Sequence, residues 1–183
     1  MNRLASPAQL RASFFRWALF LVPTIVLLGF LSGQVGGSAD SPWFAALEKP
    51  ATFPPPATFG IVWSVLYAMM GVALALVCAA WGARFRTPAI IAFVVQLLIN
   101  LAWSPVFFGE HQISTALAII LALDVAVIVT IALFWRVRRL AAVLLLPYLA
   151  WILFATLLNW QFLQFNPGAD GADVSNAVQR IEL

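Results

Sequence analysis

The chain has 183 residues, of which 63% are hydrophobic and only 9% are charged, and its mean hydropathy is +0.97. Soluble domains carry about 25% charged residues, so this composition excludes a soluble globular fold. The net charge of +3 comes from arginines that flank apolar segments, which favours a membrane protein over one that binds nucleic acid.

Five apolar segments are long enough to cross a hydrocarbon core about 30 Å thick, which takes roughly 20 helical residues. We predict an all-α membrane protein in which residues 17–165 form a five-transmembrane-helix bundle, preceded by a cytoplasmic or interfacial segment, 1–16, and followed by a mobile tail, 166–183. The first predicted span is short, contains Pro23 and follows three arginines, a pattern that is also typical of a signal peptide. The predicted spans are 17–31, 59–81, 88–108, 113–135 and 140–165.

The basic residues predict the orientation of the bundle. With five spans, eight of the ten basic residues fall on one side, and only Lys49 and Arg180 fall on the other. By the positive-inside rule the N-terminus is cytoplasmic and the C-terminus is outside. The eight are Arg3, Arg11, Arg16, Arg84, Arg86, Arg136, Arg138 and Arg139.

The first external loop, about 32–58, is long and ends in three consecutive prolines, which favour extended polyproline II backbone. Its aromatic residues predict a lid packed on the bundle mouth, although they could instead dip into the membrane interface. The candidate lid residues are Trp43, Lys49, Pro50, Pro54 and Pro55.

Polar and aromatic residues recur at helical spacing on three of the spans, and each set shares one helix face. Asn and Gln could be interhelical hydrogen-bond partners and Trp and Tyr interface anchors. Stripes that face one another would instead line an aromatic pocket for a flat apolar ligand such as a porphyrin or sterol. The stripes are Trp63 and Tyr67; Gln96, Asn100, Trp103 and Phe107; and Tyr148, Trp151, Ala155 and Asn159.

Asp124 falls near the middle of the fourth span, where an ionised carboxylate costs at least about 2.5 kcal/mol. It could be a proton relay, or a neutral or hydrogen-bonded acid facing another helix. Glu110 and His111 are predicted loop residues, and the sequence predicts no metal site and no obligatory cofactor. No nucleophile, triad or phosphate loop supports conventional enzyme chemistry.

Two backbone features bear on packing. Gly71, Ala75 and Ala79 form a row of small residues that permits close helix approach, either inside the bundle or in a dimer. Pro105 and Pro147 lie inside apolar runs, where each removes a helix hydrogen bond and is expected to bend the axis.

Four segments of the chain resemble the TspO/MBR family, the tryptophan-rich sensory proteins of bacteria and the mitochondrial translocator protein. The resemblance extends from about residue 43 to 166 in matching order. The segments are Trp43-Phe44-x-x-Leu47-x-Lys49-Pro50 with Pro54-Pro55; Phe59-Gly60-x-Val62-Trp63-x-x-Leu66-Tyr67-x-x-Met70-Gly71; Gln96-Leu97-x-x-Asn100-x-x-Trp103-Ser104-Pro105-x-Phe107-Phe108-Gly109; and Pro147-Tyr148-x-x-Trp151-x-x-x-Ala155-x-x-x-Asn159.

The resemblance implies a five-helix bundle, often a homodimer, in a bacterial inner membrane, with a pocket under the first loop that binds porphyrin, haem or sterol-like molecules. Tryptophans matching Trp63 and Trp151 support light- and oxygen-dependent porphyrin breakdown in some bacterial members. The positions that match the family pocket are Trp63, Tyr67, Asn100, Trp103, Phe107, Trp151 and Ala155.

Two parts of the chain depart from the family pattern. The stretch matching its cholesterol-recognition segment, residues 159–164, lacks a tyrosine followed by a basic residue, and such motifs are weak even when complete. Asp124 has no match in the pattern. The sequence therefore predicts a tetrapyrrole-binding membrane protein with a sensory, regulatory or disposal role; a transporter that uses Asp124, or a porphyrin-degrading enzyme, are the alternatives.

Overall fold

A computed structural model describes residues 7–35 and 41–172 of the chain. Within these ranges the structure is helical and has no strand. Five segments are long and apolar enough to cross a membrane, which confirms the predicted all-α five-span bundle. Arg3 and Arg180, used above for orientation, lie outside the described ranges. The helices are α1 (Pro7–Val35), α2 (Pro42–Ala46), α3 (Pro56–Cys78), α4 (Arg86–Ser104) with a following π-helical turn (Pro105–Gly109), α5 (Ile113–Val137), α6 (Arg139–Leu144) and α7 (Leu146–Phe165).

The bundle packs α1 on α3, α4 on α5, α5 on α7 and α3 on α6. Its centre holds fully buried side chains such as Met70 and Phe93, and the Phe93 ring stacks on Phe134 at 5.9 Å. The outer faces are apolar too, since Leu19 and Val125 are each more than 60% exposed. Acyl chains solvate such faces without a hydrophobic penalty.

The first two spans begin earlier than predicted. Among the described residues, α1 is continuous from Pro7, crosses the predicted boundary at residue 17 and passes through Pro23; residues 1–6 of the predicted N-terminal segment lie outside the described ranges. Likewise α3 begins at Pro56 rather than at residue 59. Proline in the first turn of a helix loses no hydrogen bond, because the N–H groups there have no intrahelical acceptor. Inner prolines are tolerated in membrane helices.

Regular α geometry is interrupted at the proline of the third span and just before that of the fifth, while the predicted bend of each axis stays a prediction. Pro105 cannot donate to the Leu101 carbonyl, and the chain widens into the π-helical turn, where Glu110 N–H bonds to Pro105 O at 3.0 Å. Ser32 Oγ on α1 donates to the freed Leu101 carbonyl at 2.7 Å. Before Pro147, the fifth span breaks at Leu145 into α6 and α7.

Glycines on both helices let α1 approach α3 closely. A Cβ added at Gly71 would lie 2.7 Å from Val22 Cα, and one added at Gly29 would overlap the ring of Tyr67. The row of small residues that begins at Gly71 therefore packs inside the bundle and not in a dimer interface.

We predict that Gly71→Ala destabilises the bundle by about 1–3 kcal/mol, because the added methyl forces α1 away from α3. Gly60→Ala on the same helix is the control, since its Cβ would meet nothing within 4 Å and alanine favours helix. Thermal unfolding of the purified protein in detergent measures both. Equal midpoints for the two variants would contradict the close-approach explanation.

Candidate ligand site

Hydrogen bonds between aromatic and amide side chains join the three predicted stripes, so the stripes of α3, α4 and α7 do face one another. In each bond the amide oxygen accepts, and all three amide side chains are more than nine-tenths buried. The bonds run from Tyr67 Oη to Asn100 Oδ1 (2.8 Å), from Tyr148 Oη to Gln96 Oε1 (3.0 Å) and from Trp103 Nε1 to Asn159 Oδ1 (3.0 Å).

Trp63 packs on the inner part of this network. Its ring stacks on Tyr67 with centroids 5.2 Å apart and contacts the edge of Tyr148 at 6.2 Å. The space that Gly29 leaves on α1 holds the Tyr67 ring from the other side. Trp63 is therefore turned towards α7 rather than towards lipid.

A second group of rings lies nearer the lid, and we call this end of the bundle the lid end. Trp103 stacks on Phe107 at 4.8 Å. Phe107 is buried and contacts Phe162 of α7 at 5.9 Å and Phe44 of α2 at 6.3 Å. The lid thus contributes a ring directly to the site.

Trp151 connects the site to the start of α3. Its ring contacts Phe59 at 5.7 Å, and Phe59 in turn contacts Phe53 of the loop at 5.2 Å. The indole Nε1 is buried and has no hydrogen-bond partner among the described residues. Ala155, one turn further along α7, packs beside the central core.

The lid itself is held by specific contacts, and two of its residues, Trp43 and Phe44, are buried. Trp43 stacks on His111 with centroids 4.4 Å apart. Lys49 Nζ donates to the carbonyls of Phe44 and Ala45 at the end of α2, at 3.0 and 3.3 Å. Lys49 therefore caps α2, where a cation opposes the helix dipole, rather than pointing into the site.

The proline segment leads from the lid into α3. Pro50 is buried, and Phe53 and Pro54 are half-buried. Pro55 has φ −53° and ψ 140°, which is polyproline II backbone. Pro50 O accepts a hydrogen bond from Phe53 N–H at 2.9 Å. The prolines thus fix how the loop enters α3.

The start of the C-terminal tail fastens the lid. Asn166 Oδ1 accepts from Glu48 N–H at 2.8 Å, and its Nδ2 donates to Glu48 O at 2.9 Å. Trp43 Nε1 donates to Ala169 O at 3.4 Å, and Asp170 Oδ1 accepts from Ser114 N–H at 3.1 Å. Residues 166–172, predicted as mobile tail, therefore pack on the lid end; residues 173–183 lie outside the described ranges.

Asp124 lies on α5 and faces α7. It is 7% exposed, and its Oδ2 accepts a hydrogen bond from Thr156 Oγ1 of α7 at 2.9 Å. Its Oδ1 is buried and has no partner among the described residues. The carboxyl thus joins α5 to α7 with half of its bonding capacity unused.

The pocket residues predicted from the sequence did not include Phe53, Phe59 or Phe162, whose rings lie in the site. Phe162 follows Asn159 by three residues and so continues the α7 stripe, a signal that the periodicity contained. Phe53 and Phe59 come from the loop and the first turn of α3, where no period marks a buried face.

The rings contact one another more closely than a bound flat ligand would allow. A flat ligand between two rings needs about 7 Å, twice a van der Waals contact distance, whereas Trp103 and Phe107 are 4.8 Å apart and Trp63 and Tyr67 are 5.2 Å apart. In the described state a ligand therefore cannot lie within these two pairs, in contrast to the open hollow that the stripes suggested.

We predict that Asn166→Ala loosens the lid, because it removes both bonds to the Glu48 backbone. At about 1 kcal/mol net per hydrogen bond, amide hydrogen exchange of residues 43–50 should accelerate roughly tenfold or more. Gln164→Ala, which removes an exposed amide from the same helix, is the control and should leave exchange unchanged. Equal exchange in wild type and Asn166→Ala would contradict the fastening role.

Known proteins share this sequence over most of its length. The TspO/MBR family profile matches residues 20–165. The tryptophan-rich protein TspO of Chlorobaculum tepidum is 37% identical over 141 residues, covering 76% of this chain and 89% of that protein. The human translocator protein is 39% identical, covering 70% and 78%. The tryptophan-rich sensory protein of Cereibacter sphaeroides is 34% identical, covering 82% and 92%. With five apolar helices, this chain is an integral multi-pass membrane protein, and it belongs to the TspO/MBR family.

Proposed function

We propose that the protein binds porphyrin- or haem-type tetrapyrroles among the rings beneath the lid, and that this binding serves a sensory, regulatory or disposal role. The names of the relatives, tryptophan-rich sensory protein and translocator protein, are compatible with such a role. Homodimerisation and the cytoplasmic N-terminus, which resemblance and charge imply, stay predictions.

The observation that carries the proposal is the unpaired indole N–H of Trp151. Buried polar groups are nearly always hydrogen-bonded, and a buried donor without an acceptor costs about 1–3 kcal/mol. The Trp151 ring that carries this donor packs beside the Phe59 and Phe154 rings, with centroids 5.7 and 5.6 Å apart. A flat aromatic ligand with an acceptor at its edge would satisfy the N–H and contact the rings.

The chemistry of the site favours a tetrapyrrole over a sterol. A tetrapyrrole offers two large π-faces for stacking and carboxylates that accept hydrogen bonds, whereas a sterol has no π-face and a single hydroxyl. Indole and phenyl rings gain about 0.5–1.5 kcal/mol per ring pair beyond area burial. A ligand of this size requires the rings to separate. We expect α2 to move, because it is a five-residue helix held by ring contacts to Phe107 and Phe162 and by loop and tail hydrogen bonds.

We predict that Trp151→Phe weakens binding of protoporphyrin IX by roughly fivefold to tenfold, because phenylalanine keeps a ring but loses the N–H donor. Trp63→Phe combined with it should weaken binding further. Binding is measured by the shift of the porphyrin absorbance band, since that signal does not depend on the number of tryptophans.

Trp135→Phe is the matched control, because Trp135 is half exposed and lies near the other end of α5. It should bind protoporphyrin IX like the wild type. Unchanged affinity for protoporphyrin IX in the Trp63 and Trp151 double variant would contradict the site assignment. Competition by cholesterol with equal affinity would contradict the preference for tetrapyrroles.

A second candidate function is proton-coupled transport of the same ligand class, which the unpartnered Oδ1 of Asp124 favours. Acidic groups within the membrane commonly mark proton relays. Against it, the sequence shows no inverted repeat of the kind that many transporters have.

For this candidate we predict that Asp124→Asn abolishes any proton-gradient-driven uptake of protoporphyrin IX into proteoliposomes while leaving binding intact. Asparagine keeps the acceptor for Thr156 but cannot carry a proton. Thr156→Val, which removes only the hydrogen bond, should retain uptake. Gradient-independent uptake in the wild type would exclude the proton relay.

A further inference from the structure

A groove of about 360 Å³ lies on the outer surface of the bundle, at the end opposite the lid. We call this end the basic end, because Arg11, Arg16, Arg84, Arg86, Arg136, Arg138 and Arg139 lie there. The groove opens between the first turns of α1 and the segment after α3. It is lined by Ser13, Arg16, Trp17, Phe20 and Trp81.

The lining changes from polar to apolar along α1. Ser13 and Phe20 are seven residues apart, or about 10 Å at 1.5 Å per residue. Ser13 and Arg16 lie towards the helix start, whereas Trp17 and Phe20 lie deeper in the predicted hydrocarbon region. This gradient follows the one a phospholipid presents, from charged headgroup to acyl chain.

Trp81 forms a fixed wall of the groove although it is 64% exposed. Its Nε1 donates to Ser13 Oγ at 3.3 Å, which ties the α3 end to α1. The Arg86 guanidinium lies over its ring at 4.2 Å and also donates to the Cys78 carbonyl at 2.9 Å. A tryptophan so held at the membrane interface is available for contact without further ordering cost.

Arg16 gives the groove its charge preference. Among the described residues no carboxylate lies within ion-pair distance of it, and its Nε reaches only the Ala12 carbonyl of its own helix, at 3.4 Å. Arg86, over the Trp81 ring, adds a second positive charge nearby. A cation at a membrane interface with no anionic partner in the protein attracts an anionic headgroup.

We propose that this groove binds one anionic glycerophospholipid, with its phosphate at Arg16 and an acyl chain along Trp17, Phe20 and Trp81. The lipid would be a ligand of the α1–α3 pair, separate from the ring cluster at the lid end. The proposal does not depend on the proposed tetrapyrrole function.

Native mass spectrometry of delipidated protein titrated with phosphatidylglycerol or phosphatidylcholine of identical acyl chains tests this proposal. We expect one phosphatidylglycerol to bind about fivefold more tightly than phosphatidylcholine, the factor that corresponds to about 1 kcal/mol per basic residue near a membrane surface. Arg16→Gln should reduce phosphatidylglycerol binding to the phosphatidylcholine level. Arg16→Lys should retain most of the preference.

Arg139→Gln is the matched control, since Arg139 lies at the same end, over Trp135, and outside the groove. It should keep the preference for phosphatidylglycerol. Trp81→Ala should weaken both lipids alike, because it removes the apolar wall. Equal binding of the two lipids by the wild type, or equal loss in Arg16→Gln and Arg139→Gln, would overturn the proposal. Displacement of the lipid by millimolar inorganic phosphate would also overturn it, by showing that the site recognises the anion alone.

Discussion

The site depends on the pairing of aromatic donors with amide oxygens across α3, α4 and α7. Within a membrane no water satisfies a polar side chain, so the amide oxygens of Asn100, Gln96 and Asn159 take donors from neighbouring helices, although Gln96 Nε2 has no partner among the described residues. Each such bond contributes only about 0.6 kcal/mol on average, but an unpaired amide would cost more. The bonds therefore contribute little to the stability of the bundle and mainly fix the rotation of each helix about its axis. That rotation turns Trp63 and Trp103 inwards.

Hydropathy and helical period predicted the spans and the inward stripes, because both depend on residues close together along the chain. The period identifies a face but gives no distance between faces, and so the sequence suggested an open hollow where several rings are in contact. Close contact is the expected outcome for apolar rings without a ligand, since an empty cavity costs about 24 cal/mol per Å³. Separating the rings therefore costs free energy, and the binding of any ligand must offset that cost.

The sequence did not predict the contacts between distant parts of the chain. Pro105 predicts a freed carbonyl at Leu101, but no pattern in the sequence indicates that Ser32, 69 residues earlier, donates a hydrogen bond to it. Asn166 holds the Glu48 backbone across 118 residues and follows the last apolar span in a stretch that reads as polar tail. Local composition marks such residues as loop, and only the packed arrangement gives them a structural role.

Helix α1 shows how shape can replace apolar burial in a membrane. Only 11% of its apolar window is buried, and lipid tails are as apolar as the helix, so no hydrophobic force holds it to α3. Close approach at Gly71 and Gly29 provides dispersion contacts instead, and the Ser32 bond adds one polar contact. The same helix then supports the Tyr67 ring in the inner part of the ligand site and forms one wall of the basic-end groove. Since both depend on a single helix–helix fit, a substitution that pushes α1 outward should disturb the ligand site and the groove together.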